Sequence, residues 1–186
     1  MPIPTFLARL SKINLSVLIF LSSIVVSAQL APLSPKATVS VLTCATGNES
    51  YSLFGHTAVR IADPEQFLDI VYNYGAFDFS TPNFVAKFAK GDLQYFVVAD
   101  SFSEFIGRYQ YEGRSVYEQK LRLSLPLKQQ LFDQLNKTLQ SEERFYTYKF
   151  IDRNCTTMVV DLLNQTIGTK AITKKDATKK TYREVL

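Results

Sequence analysis

Asp152-Arg153-Asn154-Cys155-Thr156-Thr157-Met158-Val159-Val160-Asp161-Leu162-Leu163-Asn164-Gln165-Thr166-Ile167-Gly168 is the stretch on which the fold turns. Asn154 is a side-chain acceptor suited to cap a helix start, and Gly168 is the residue type that ends one. Between them Met158, Val159, Leu162 and Leu163 recur at helical spacing. Cys155 precedes Met158, Val159 and Leu162 by three, four and seven residues, so it opens the helix on the inward face. A helix start carries about half a positive charge, which favours thiolate over thiol. Its free N–H groups can also stabilise an oxyanion. An ordinary core cysteine fits the same position.

Upstream of this helix the chain alternates short strands and helices without a regular repeat. Thr38–Thr43, about Phe54–Ala62, Leu68–Tyr74, Leu93–Val98 and Val116–Leu123 read as strands, with Gly75 ending the third. The second and third form an expected hairpin. Pro82–Lys90 reads as a short helix with Phe84, Val85 and Phe88 on one side. Ser101–Tyr111 begins with Ser101 and Glu104 at capping-box spacing. The next helix begins with Ser124 as cap and Pro126 in its first turn, and carries Leu127, Leu131, Phe132, Leu135 and Leu139 as a buried stripe. These patterns predict an α+β domain, an antiparallel sheet packed against helices, rather than a doubly wound parallel sheet.

The 186 residues divide unevenly. Arg9 and Lys12, an apolar run from Leu15 to Val26, and Val26-Ser27-Ala28 together form a cleavable export signal over residues 1–28. Residues 29–37 read as a linker, 38–168 as one domain, and 169–186 as a basic tail. Residues 29–168 carry 13 Lys and Arg against 15 Asp and Glu, so the net charge of +4 arises at the two ends of the chain. That balance argues against a nucleic-acid-binding face on the domain, and no nucleic-acid motif is present. The tail lysines offer peripheral contact with anionic phospholipid.

His56 is the single histidine, and Cys44 and Cys155 are the two cysteines. This inventory excludes an ordinary zinc site and predicts no metal or cofactor. No G-x-S-x-G elbow and no phosphate-binding glycine loop is present. What remains is a Cys/His pair: a strand His56 as base and a helix-opening Cys155 as nucleophile. A Cys44–Cys155 disulfide in a non-catalytic binding module is the opposing reading. The 14 Phe and 10 Tyr serve either core packing or an apolar groove for an acyl chain.

A strand His followed much later by a Cys opening a helix resembles the circularly permuted papain-like fold of NlpC-type hydrolases and lecithin:retinol acyltransferase. Leu42-Thr43-Cys44, Phe54-Gly55-His56-Thr57-Ala58-Val59-Arg60, Tyr72-Asn73-Tyr74-Gly75-Ala76-Phe77-Asp78-Phe79, Tyr111-Glu112-Gly113-Arg114-Ser115-Val116-Tyr117-Glu118-Gln119 and Asn154-Cys155-Thr156-Thr157 resemble the N-terminal periplasmic domain of the Bacteroides-type lipoprotein N-acyltransferases, Lnb. The resemblance spans about residues 38–165. It implies acyl transfer through a Cys155 thioester with His56 as base. The implied donor is a membrane phospholipid, and the implied acceptor is the N-terminal amine of a diacylglyceryl-modified lipoprotein. Asn73 is the implied orienting residue, with Asp69 as rival, and Asn154 stands on the oxyanion side. The implied location is the periplasm, at the inner membrane. Full-length members are expected to continue into membrane segments, where residues 169–186 offer a Lys-rich tail. A secreted Cys/His hydrolase of peptide, cell-wall or lipid bonds uses the same pair and stands as the alternative.

Overall fold

The computed structural model describes residues 31–168 and residue 172; the export signal and, apart from residue 172, the basic tail lie outside them. Six strands form one antiparallel sheet: β1 Thr38–Cys44, β2 His56–Asp63, β3 Leu68–Phe77, β4 Gln94–Ser101, β5 Val116–Lys120 and β6 Phe145–Thr147. Their spatial order is β5-β1-β2-β3-β4-β6. Among the described residues four α-helices accompany them: α1 Phe84–Lys90, α2 Phe102–Tyr111, α3 Leu125–Gln140 and α4 Cys155–Ile167. The α+β class and the Cys-opened helix therefore hold.

Period-two alternation divides the sheet into two unequal faces. Val39, Val59, Ile61, Tyr72 and Val97 face α3 and α4, whose Leu131, Phe132, Leu135, Val159, Leu162 and Leu163 complete the main core. Leu42, Cys44, Ala58 and Val71 face the other way, where Phe105 and Tyr109 of α2 cover them. A fully buried Leu or Phe here contributes about 1.5–3 kcal/mol from burial alone.

Several boundaries differ from the sequence reading for identifiable reasons. β3 does not stop at Gly75. It passes through that residue at φ 140° and continues to Phe77, with a register shift against β4 between Tyr74 and Ala76. β5 ends at Lys120 rather than Leu123, and β4 extends to Ser101. In α1, Phe84 and Phe88 pack inward but Val85 is 77% exposed, so its apolar side is narrower than expected. Ser101 and Glu104 form the expected capping box, whereas the Ser124 side chain makes no cap bond. β6 has no counterpart in the sequence reading. Its three residues, following a 3-10 turn at Glu142–Arg144, are too few to show alternation. The described part of the expected linker is docked: Leu33 and Ala37 are buried, and Ser34 bonds Asp63 through its N–H and hydroxyl at 2.6 Å each.

Candidate active site

Gly55 sets the start of β2. It adopts φ +71°, and a Cβ there would lie 2.5 Å from the carbonyl oxygen of Cys44. Only glycine lets the chain turn so close to β1. His56 consequently becomes the first residue of β2, opposite Cys44. In the next strand Asn73 pairs with Ala58, so His56 and Asn73 are diagonal neighbours on one face. His56 Nε2 lies 3.2 Å from Asn73 Oδ1.

The orientation of that amide is determined by its other end. Asn73 Nδ2 donates to Asp100 Oδ2 at 2.9 Å, and Arg108 Nη2 of α2 donates to the same carboxylate oxygen at 2.6 Å. Nδ2 faces an acceptor, so Oδ1 must accept, and His56 must carry its proton on Nε2. Nδ1 is then the basic nitrogen. Gly75 keeps that edge of the ring uncovered, since even a Cβ at Gly75 would stand 3.9 Å from Nδ1.

Cys155 enters the cavity that His56 lines from the α4 side of the sheet. Asn154 Oδ1 accepts from the N–H groups of Thr156 and Thr157 at 3.0 Å each, and its Nδ2 donates to Phe150 O at 2.9 Å. Thr57 and Thr156 hydroxyls meet at 2.8 Å and pin the start of α4 to β2. Burial alone would raise the Cys155 thiol. Its hydrogen bond to His56, the charge of that ring, the Thr57 N–H and the Thr156 hydroxyl outweigh burial and hold it below the ordinary thiol value. These are the conditions of an activated nucleophile.

The remaining sequence-derived residues separate clearly. Asp69 pairs with Arg60 at 2.7 and 2.8 Å and lies opposite Ala62, six residues from His56 or about 20 Å along β2. It is not part of this constellation. Asn154 is a helix cap with its amide fully engaged, and two of the first-turn N–H groups expected to be free are bonded to it. Cys44 and Cys155 are both free thiols, so the disulfide reading fails. Cys44 faces α2 while Cys155 belongs to the α4 side. Burial pushes the Cys44 thiol up to about 11, despite a bond to Tyr109 and the nearby Arg114 charge.

Aromatic side chains enclose the thiol. Phe77, Phe84, Phe88, Phe150, Tyr148 and Tyr95 form a closed circuit of ring contacts with centroid separations of 5.6, 6.0, 5.7, 5.5, 4.3 and 5.1 Å. Five of them, all but Phe84, line a narrow cavity of about 50 Å³ with His56 and Cys155. Phe54 and Phe150 are exposed at its mouth, as are Leu53 and Ile151 beside them. A larger groove of about 460 Å³ reaches His56 and Asn73 from the α2 side, past Asp100, Arg108, Glu112 and Arg114. The sequence reading missed Asp100, Arg108 and the two cavity tyrosines. The only available signal was that Asp100 interrupts an apolar strand two residues after Val98.

A family model described as the Lnb N-terminal periplasmic domain matches residues 27–186. No curated protein and no solved structure matches the chain.

Proposed function

The chain belongs to the family of Lnb N-terminal periplasmic domains and is periplasmic, and from that membership and its site we propose that it is a cysteine-dependent acyltransferase that N-acylates lipoproteins. The observation that carries this reading is the hydrogen-bonded series His56, Asn73, Asp100 and Arg108, with His56 and the Cys155 thiol lining one aromatic-walled cavity. Among the described residues no helix is long and apolar enough to cross a membrane. The apolar rim of Leu53, Phe54, Phe150 and Ile151 suits contact with a lipid surface, from which an acyl chain can reach the thiol.

In the first half-reaction the Cys155 sulfur attacks the ester carbonyl of a membrane phospholipid, and His56 Nδ1 takes the thiol proton. The tetrahedral adduct collapses, the ester C–O bond breaks, and His56 returns the proton to the departing glycerol oxygen. A thioester and a lysophospholipid result. In the second half, the α-amine of a diacylglyceryl-modified lipoprotein attacks the thioester and gives its proton to His56. The C–S bond then breaks, leaving an amide and the regenerated thiol. Asn73 keeps the ring in the tautomer both halves need, as the orienting residue does in other triads. Apolar walls favour the amine over water by keeping the thioester dry.

The test uses vesicles containing acyl-labelled phospholipid and a diacylated lipopeptide acceptor. The wild-type chain is expected to form hydroxylamine-sensitive label on Cys155 and then labelled amide. Cys155→Ser and His56→Ala should abolish both products while remaining folded. Amide formation by Cys155→Ser would refute the proposal, and free fatty acid as the sole product would favour the hydrolase.

A further inference from the structure

Tyr146 of β6 is 4% exposed, and its hydroxyl has no hydrogen-bond partner among the described residues. Buried hydroxyls are nearly always satisfied, so an orphan beside a reactive centre calls for a functional account. Tyr146 pairs with Tyr95 across β4 and β6, with ring centroids 6.3 Å apart, and Tyr95 stacks on Tyr148 at 4.3 Å. Tyr95 and Tyr148 line the cavity that holds Cys155.

We propose that the hydroxyls of Tyr95 and Tyr148 are the oxyanion donors of this site, with Tyr146 behind them as a positioning residue. The inference rests on the acyl-transfer reading above. When sulfur adds to an acyl carbonyl, the carbonyl oxygen becomes an oxyanion that needs donors already in place. Asn154 cannot supply one, because it caps α4, and the N–H groups of Thr156 and Thr157 are bonded to it, so the helix start offers at most the Cys155 N–H and side-chain donors must complete the site. Tyr146 supports Tyr95 and Tyr148 through its ring, which lies 6.3 Å from that of Tyr95, itself stacked on Tyr148 at 4.3 Å, while its hydroxyl bonds neither. No proton leaves any tyrosine during the step. Burial, followed by the charge of Cys155, pushes Tyr95 up to about 12 and also raises Tyr146 and Tyr148, so all three stay protonated donors at neutral pH.

The experiment compares two reactions of the same thiol in the full chain. Acylation by p-nitrophenyl butyrate passes through an oxyanion and releases nitrophenolate; alkylation by iodoacetamide does not. Tyr95→Phe and Tyr148→Phe should each slow acylation at least about tenfold, and the double variant at least about 10²-fold, the lower end of the loss found on removing one strong oxyanion donor. Alkylation should stay within about threefold of wild type in all of them, because its transition state makes no demand on an oxyanion donor. Tyr146→Leu, which loses the ring that packs on Tyr95, should slow acylation by a smaller factor and leave alkylation near wild type; equal losses in both reactions would make Tyr146 purely structural. Acylation near the wild-type rate in the double variant, or a parallel loss of acylation and alkylation, overturns the proposal alone. A wild-type thiol that is alkylated readily but never acylated overturns the acyl-transfer reading and this inference with it.

Discussion

Replacing Gly55 by alanine should separate the cost of a left-handed backbone from the cost of displacing His56. The left-handed conformation costs a non-glycine residue about 1–2 kcal/mol. Gly168, at φ +73° with open space within 4 Å of where a Cβ would stand, carries that cost alone when changed to alanine. Gly55 has nearly the same φ, +71°, but its Cβ would lie 2.5 Å from Cys44 O, a backbone atom held in the β1–β2 ladder. Restoring even a tight contact of about 3.0 Å requires the start of β2 to retreat by about half an ångström, and a comfortable one by nearer to about 1 Å. Overpacking of this kind adds about 1–3 kcal/mol. We therefore expect Gly55→Ala to lose about 2–5 kcal/mol and Gly168→Ala about 1–2 kcal/mol in urea unfolding. The functional difference should be larger. His56 follows Gly55 directly, and a misplacement of about 1 Å can cost about 10²-fold in rate. Acylation of Cys155 by p-nitrophenyl butyrate should fall by about that factor in Gly55→Ala and remain near wild type in Gly168→Ala. Equal stability losses together with undiminished acylation in Gly55→Ala would refute the argument that this contact places the histidine.

Asn73→Ala should reduce Cys155 acylation by about 10–100-fold, because His56 loses the group that selects its tautomer, whereas Asp69→Asn should leave the rate near wild type; a reversal of that order in single-turnover assays would reassign the orienting residue. Thr156→Val should cost about 1 kcal/mol in stability by breaking the 2.8 Å bond to Thr57, and should raise the pH midpoint of Cys155 alkylation, since both the hydroxyl and the anchored helix start favour thiolate. The Cys44 thiol is raised from 9.0 to about 11. The unfolded chain therefore releases that proton first as pH rises, so this contribution to stability is complete below about pH 9 and is lost progressively towards about pH 11. Cys44→Ala should flatten that alkaline decline relative to wild type in urea titrations, and an unchanged slope would contradict the burial-driven shift.

The Cys/His pair was legible because each member carries a local marker. Cys155 sits at a cap-defined phase of an amphipathic helix, and His56 follows a glycine at the start of an apolar strand; periodicity and capping act within a few residues, so sequence spacing reports them. Scarcity helped as well, since one histidine leaves one candidate base. The choice between Asn73 and Asp69 required more. Both lie in β3, but strand register puts Asn73 diagonal to His56 and Asp69 six residues away beside Arg60, and register is a property of paired strands. Asp100, Arg108 and the tyrosine wall depended on tertiary contacts throughout. They come from β4, α2, β6 and the segment that follows it, and only the order β5-β1-β2-β3-β4-β6 brings them around one thiol. By itself the sequence determined the chemistry available and the elements bearing it, because those depend on short-range forces along the chain. The tertiary structure decided which acceptor lies against the histidine and which tyrosines wall the thiol's cavity, because long-range packing alone sets distances between residues far apart in sequence.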